Sequence, residues 1–344
     1  MATMDIFNQD AFSMVSMTQA ITRTPYQPRR LGALGLFTPH PITTTAAAIE
    51  EMNGTLKVIQ TDQRGAPIQQ RGAEKRNLRY FGTRRIAKGD TIRAEEIQGI
   101  RAFGSETELM QVQAEVARRL DGPVGIRRDV ELTKENMRLG AVQGIVLDAD
   151  GSVIYNWFTE WGVSQPAEVA FDLNNASPTP GALRKKCNDV VRKVTRGAKG
   201  MMVQGSGVHA LCGDDFWDAL ITHPDVEKTY LNWEAAANLR EGTAWQAFNF
   251  GGISWENYRG TDDGTTVAVA TDKVKFFPDN APGVFEEINS PAESFEYVNT
   301  PGMPEYSMIV PDQKRNMFVD VEVYSYPLFI CTTPGALQRG KIGA

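Results

Sequence analysis

The stretch KVIQTDQRGAPIQQRGAEKRNLRYFGTRRIAK, residues 57–88, carries nine Lys and Arg (Lys57, Arg64, Arg71, Lys75, Arg76, Arg79, Arg84, Arg85, Lys88) against only Asp62 and Glu74. It sits in a chain whose formal net charge is -6. From 206 to 330 the balance reverses, with twenty Asp and Glu against seven Lys and Arg. Thr55 to Gln60 alternates like a strand, 62–67 is turn chemistry, and Leu78 to Ile86 is a second extended run. A two-stranded excursion of this kind has no hydrophobic face broad enough to stand alone, so it must lie on another surface. Unlike charges speed encounter and fix which patch meets which, so a basic loop on an acidic body points to one copy reaching onto another.

The remaining bulk properties narrow the class. A length of 344 residues predicts about two domains and a sizeable core. Hydrophobic content of 42% and charged content of 23% are those of an ordinary soluble chain. A pI near 5.3 argues against a dedicated nucleic-acid binder, while leaving room for an inward face that tolerates nucleic acid. Cys187, Cys212 and Cys331 are odd in number and widely spaced, which is not a disulfide framework; they read as small buried hydrophobes in a protein made in a reducing compartment. No run approaches the roughly 20 apolar residues of a membrane span. No basic-then-apolar secretory signal opens the chain, so neither membrane nor export is expected.

Residues 1–45 read as an arm, with a helix over about 10–21 bearing Phe12, Val15 and Met17. Its prolines, Pro25 and Pro28, set an extended path. Leu31, Leu34, Leu36 and Phe37 then need an apolar surface, which the pattern leaves open between the same subunit and a neighbour. Ser105 to Glu108 is a capping box before Leu109, Val112, Val116 and Leu120 at helical spacing. After Asp121-Gly122-Pro123, a second helix is predicted over 126–142. Ile126, Val130, Thr133, Met137 and Ala141 form its apolar stripe, and Arg127, Glu131, Lys134, Glu135 and Arg138 its charged face, with Gly144 as the stop. Asp150-Gly151 predicts a tight hairpin joining 145–147 to 153–158.

Further on, Pro178 to Gly181 opens a basic helix to about Lys199, read as a solvated surface with a phosphate-facing role as the lesser alternative. Strands are expected at 208–212, 253–258, 267–270, 274–277 and 318–324. Asp214 is the expected cap of a helix over 215–221, and Pro224 opens another carrying Val226, Tyr230 and Trp233. Leu328 to Cys331 is an apolar finish closed by Pro334-Gly335. No internal repeat is visible.

Chemistry-bearing motifs are absent from the pattern. The histidines are His40, His209 and His223, and His209 with Cys212 is a lone His-x-x-Cys without further ligands at metal spacing. Gly205-Ser206-Gly207 satisfies neither a phosphate loop nor a nucleophile elbow. Asp214/Asp215, Asp262/Asp263 and Glu286/Glu287 are sequence neighbours, whereas an acid/base pair needs carboxylates in contrasting environments. No catalytic, cofactor or metal residues are assigned, and an enzyme is not expected.

Taken in order, the elements resemble the major capsid proteins of tailed bacteriophages with the Hong Kong 97-type fold, the lambda-like E family. The resemblance covers nearly the whole chain. It rests on Tyr26-Gln27-Pro28-Arg29-Arg30-Leu31-Gly32 with Leu34 to Phe37 and Thr43-Thr44-Thr45, on Gly54-Thr55-Leu56 leading into the basic hairpin, on 97–104, and on Gly140 to Gly151. It implies an α+β fold divided into an N-terminal arm (1–54), an extended loop (55–101), a peripheral domain with a long spine helix (102–164), an axial domain (165–285), peripheral return strands (286–325) and a C-terminal axial segment (326–344). The 145–158 hairpin and the 318–324 strand would build the peripheral sheet.

The same resemblance implies a shell protein that assembles as pentamers and hexamers into an icosahedral head around double-stranded DNA held without sequence specificity. The loop residues Arg64, Arg71, Lys75, Arg76, Arg79, Arg84 and Arg85, and the arm residues Tyr26, Pro28, Arg29 and Arg30, would touch neighbouring subunits. Because the arm begins close to residue 1, a separate scaffolding protein is expected, together with a portal and room for a cement protein. The protein would belong to the virion, and to the host cytoplasm during assembly. The alternatives are an encapsulin-type compartment shell, which shares the fold, and a soluble enzyme with an unrecognised site.

Overall fold

The computed structural model describes residues 26–53, 75–98, 112–231 and 247–343. The helix expected over 10–21, the strand over 55–60, the turn at 62–67, the capping box at 105–108, and Arg64, Arg71 and Trp233 lie outside the described residues.

The first elements are α1 (Arg30–Ala33), β1 (Thr38–Pro41), β2 (Ala46–Asn53), β3 (Lys75–Gly82), β4 (Ile86–Arg93), α2 (Ala94–Ile97), α3 (Val112–Asp121) and α4 (Ile126–Gln143). Among these elements α1, α3 and β4 pack on helix α4. Ile126, Val130, Met137 and Ala141 are buried, as their spacing predicts, and Gly144 ends the helix in the left-handed region at φ +84°. The charged face is not left to solvent. Lys134, Glu135 and Arg138 are 3%, 0% and 8% exposed, because α1, β4, β14 (Phe318–Ser325) and β15 (Pro327–Cys331) pack around the helix on several sides.

Beyond α4, β5 (Ile145–Leu147) and β6 (Val153–Asn156) form the Asp-Gly hairpin, with Gly151 at φ +82°. Its second strand is shorter than predicted. The Asn156 side chain accepts from the Phe158 and Thr159 amides at 3.1 and 3.4 Å, which turns Trp157 and Phe158 into a short helix, α5 (Trp157–Glu160).

The hairpin is a sheet of its own and does not join the 318–325 strand. That strand, β14, lies between β13 (Tyr306–Pro311) and β4. Val321 and Val323 point inward with Ile92 onto Val116, Leu120, Ile126 and Val130. Arg119 of α3 locks this layer through Glu115 at 2.8 Å, Asp90 at 2.8 Å and Glu96 at 2.5 Å.

A six-stranded mixed sheet forms the middle of the chain. Its order is β7 (Val169–Ala170), β16 (Gln338–Lys341), β11 (Lys273–Asp279), β8 (Gly207–Cys212), β10 (Ile253–Asn257) and β9 (Phe248–Phe250). Helix α6 (Ala182–Gly197) covers it with Leu183, Cys187, Val190 and Val194. Helices α7 (Asp214–Ile221) and α8 (Pro224–Leu231) follow β8. Gly213, not Asp214, is the N-cap of α7; Asp214 is its first residue, and its carboxylate accepts from Asn257 Nδ2 at 3.0 Å.

Two further expectations change. Val267 and Val269 are buried, but 267–270 is irregular, because Val267 exchanges backbone and side-chain hydrogen bonds with Thr261 instead of a ladder. The tail does not stop at Pro334-Gly335. A 3-10 turn there leads into β16, which enters the large sheet beside β11. β12 (Phe285–Asn289) lies between β1, to which it runs parallel, and β15.

Gly144 and Gly151 share a left-handed conformation but differ in surroundings. A Cβ at Gly144 would stand 2.3 Å from the Phe158 ring, whereas at Gly151 it would meet nothing within 4 Å. Gly151→Ala should therefore cost only about 1–2 kcal/mol of backbone strain. Gly144→Ala should cost clearly more in urea unfolding, and equal losses would contradict this packing.

Candidate assembly surface

β2 and β3 pair from Ala46↔Gly82 to Asn53↔Lys75, so the two-stranded excursion starts in an alanine-rich stretch that strand patterning does not mark. Its base is seated on aromatic side chains. Phe81 is buried edge-on against Tyr155 and Trp157, with ring centroids at 5.9 and 5.4 Å, and tilted against Trp161 at 5.9 Å. Tyr155 Oη donates to the Gly82 carbonyl at 2.7 Å, and Trp161 Nε1 donates to the Cys331 carbonyl at 2.9 Å.

Three loop arginines sit over rings of their own subunit: Arg79 over Trp161 at 5.3 Å, Arg84 over Tyr155 at 5.7 Å and Arg85 over Tyr324 at 5.2 Å. Arg85 also lies 3.5 Å from Glu293. The period-two alternation of β3 turns Arg79 and Phe81 toward the seat. Leu78 and Tyr80 face the other way, 54% and 68% exposed. Lys75 and Arg76 lie on β3 opposite Asn53 and Met52.

The described arm packs on its own subunit. The Tyr26 amide donates to Asp262 at 2.9 Å, and the Arg259 guanidinium stands 3.7 Å over its ring. Gln27 bridges the Arg128 carbonyl and the Arg128 and Arg29 side chains, and Pro28 is buried. Arg29 is exposed. Arg30 is turned inward, in a two-pronged pair with Glu256 at 2.5 and 2.9 Å.

Glu256 also meets His209 at 3.1 Å, both being buried. Burial pushes the Glu256 carboxyl up, but hydrogen bonds from His209 and Arg30 outweigh it and hold the group below its ordinary 4.5. A second carboxylate completes the strap. Glu135 accepts from the Leu31 and Gly32 amides at 2.8 and 3.2 Å and from Tyr258 Oη at 3.3 Å. Burial leaves its pKa raised despite these donors and Arg138. Arg138 spans Glu131 at 2.5 Å, Glu287 at 3.6 Å and Glu135 at 3.7 Å, and lies 5.1 Å from the Phe329 ring centre.

Neither carboxylate carries a sequence signal of this role. Glu135 belongs to a stretch that reads as a charged helix face, and Glu256 lies inside a strand. The aromatic seat is equally silent, since Tyr155 and Trp157 fall in a stretch that reads as a hairpin strand and Trp161 follows it without a motif. Among the described residues no group of three His, Cys, Asp or Glu could hold a metal ion, and the cysteines are free and buried.

The family model described as phage major capsid protein E matches residues 13–342. The chain belongs to that family. Two curated major capsid proteins, from Salmonella phage Felix O1 and Pseudomonas phage KPP10, are each 25% identical to it, covering 95% and 97% respectively of both chains. The capsid structure of cyanophage P-SCSP1u overlays with a TM-score of 0.50 at 9% identity, covering 90% of this chain and 86% of that one. The α+β fold is thus the Hong Kong 97-like capsid fold. The family is one of structural virion proteins that assemble with copies of themselves, not of enzymes, and its members among the relatives favour a phage capsid over an encapsulin-type compartment. No described helix is long and apolar enough to cross a membrane.

Removing the Glu135 carboxylate leaves the Leu31 and Gly32 amides without their acceptor, while Arg138 keeps Glu131 and Glu287, so Glu135→Ala should lower stability by about 1–3 kcal/mol per stranded amide in urea unfolding. The Glu256 strap should be pH-dependent. A carboxyl whose native pKa is depressed stabilises above its unfolded pKa and loses that contribution as pH falls through the native value. The stability gap between wild type and Glu256→Gln should accordingly be full at pH 7 and narrow below pH 4.5. A gap that widens on acidification would contradict the assignment.

Proposed function

We propose that this chain is the major head protein of a tailed phage, assembling as pentamers and hexamers into an icosahedral shell around double-stranded DNA. The observation that carries the reading is the β2–β3 ribbon: Phe81 seats its base on the subunit's own body, while Leu78 and Tyr80 remain open on the face turned away. An open apolar pair on a basic ribbon fits a neighbouring copy, and head-to-tail contacts of this kind close into rings. Lys75 and Arg76, on β3 opposite Asn53 and Met52, carry the basic character of this contact, and Arg64 and Arg71 are the further cations of the same stretch assigned to it. Arg79, Arg84 and Arg85 brace the ribbon's base on the subunit's own rings, and the exposed Arg84, Arg85, Tyr26 and Arg29 remain available to a neighbour.

Single exposed ion pairs are worth roughly 0–1 kcal/mol. Many such contacts across a shell give stability, while each weak contact lets a misplaced subunit leave. Assembly on a separate scaffolding protein, a portal at one vertex and a decoration protein outside complete the proposal, with the host cytoplasm as the site of assembly.

Arg71→Glu/Lys75→Glu/Arg76→Glu should leave far-UV circular dichroism and the thermal midpoint near wild type while abolishing shells and rings in negative-stain electron microscopy. Normal shells from the triple variant would sink the docking role of the ribbon.

A further inference from the structure

Helix α6 has two faces of opposite character. Leu183, Cys187, Val190 and Val194 are buried against the six-stranded sheet. At about 100° per residue, Arg184, Lys185, Arg192 and Arg196 fall within an arc of about 120° on the opposite side. All four are exposed, as are Asn188 between them and Lys199 just past the helix end.

The other two cations of the helix are already matched. Lys186 pairs with Asp172, and Lys193 with Asp189 at 2.8 Å. Arg184, Lys185, Arg192, Arg196 and Lys199 have no ion pair among the described residues. Arg184 alone has a ring beneath it, Phe250 at 5.9 Å. In a chain of net charge -6, this is a concentrated row of unmatched positive charge.

The chemistry of the face selects its occupant. Protein interfaces are anchored by desolvated aromatic and apolar side chains, and between 182 and 199 none of the large hydrophobics is exposed. A polyanion needs no such anchor, because phosphate contacts and counterion release supply its affinity. From Arg184 to Arg196 the row runs about 18 Å along the helix. A duplex presents roughly ten phosphate charges over that length, at about 1.7 Å per charge.

We infer that the exposed face of α6 is a sequence-independent docking surface for the phosphate backbone of duplex DNA, and so the face of the subunit turned toward the genome. The inward orientation rests on the shell reading above; the binding itself does not. Each subunit holds DNA weakly, and repetition over the shell multiplies the contact.

The test uses the full chain and a labelled 30-base-pair duplex of arbitrary sequence, with anisotropy read from low to moderate salt. Arg184→Gln/Lys185→Gln/Arg192→Gln/Arg196→Gln should weaken binding and reduce the slope of log K against log salt by about three to four, at about 0.9 per phosphate contact. Arg184→Lys/Arg192→Lys/Arg196→Lys should retain the slope. Arg93→Gln/Lys314→Gln/Arg315→Gln, which removes exposed cations elsewhere, should also leave it unchanged. No duplex binding by the wild type at low salt, or an equal loss of slope in the two neutralised variants, overturns the inference. Loss of poly-glutamate binding with duplex binding intact would assign the face to an acidic protein instead. Shell formation by the quadruple variant, read by electron microscopy, reports separately on the capsid reading.

Discussion

The structure depends on a carboxylate placed where carboxylates are costly. Glu135 sits fully buried in the middle of α4 and accepts the Leu31 and Gly32 amides and the Tyr258 hydroxyl. An uncompensated charge there would be severely destabilising. The arm removes that cost by supplying donors, and in return the first turn of α1 has its free amides satisfied. Helix and arm are therefore mutually obligatory. Arg138 extends the constraint to β12 through Glu287 and to β15 through the Phe329 ring. One helix thereby fixes the arm and the β1–β12–β15 sheet together, while its first turns carry the β13–β14–β4 layer.

That rigidity gives the ribbon its meaning. Arm and ribbon leave the same body, but they are held differently. The arm is strapped by two buried carboxylates, Glu135 accepting from backbone amides and Glu256 from Arg30 and His209. Among the described residues the ribbon's base is held by Ala47, Ile49 and Phe81 and by the rings beneath Arg79 and Arg84. A fixed root with an open apolar face beyond it is the mechanical form that a contact between copies requires. Its angle is set before any neighbour arrives, which lowers the ordering cost of docking.

Much of the architecture was legible wherever local chemistry and tertiary environment agreed. The α4 stripe, the Gly144 stop, the Asp-Gly hairpin and the alternation of β14 all follow from period and turn residues. The misses share one physical cause: a tertiary partner overrode the local pattern. Lys134, Glu135 and Arg138 read only as a charged helix face because nothing local announces that several elements wrap α4. Trp157 and Phe158 read as strand until Asn156 capped a helix. Val267 and Val269 are buried without a ladder because Thr261 satisfies the backbone instead. The site residues divide in the same way. The basic character of the loop is visible in the sequence, but which arginines are consumed by the subunit's own rings is a matter of three-dimensional placement.

The most direct measurement is a cryo-electron microscopy reconstruction of shells assembled from the intact chain, at a resolution that traces the backbone. Residues 26–37 should lie on the same subunit's α4, with Glu135 against the Leu31 amide, and Leu78 and Tyr80 should be covered by the adjacent copy while Phe81 stays on its own subunit's rings. Density that leaves Leu78 and Tyr80 uncovered by a neighbour, or that shows the arm exchanged onto a neighbour's α4, would contradict this.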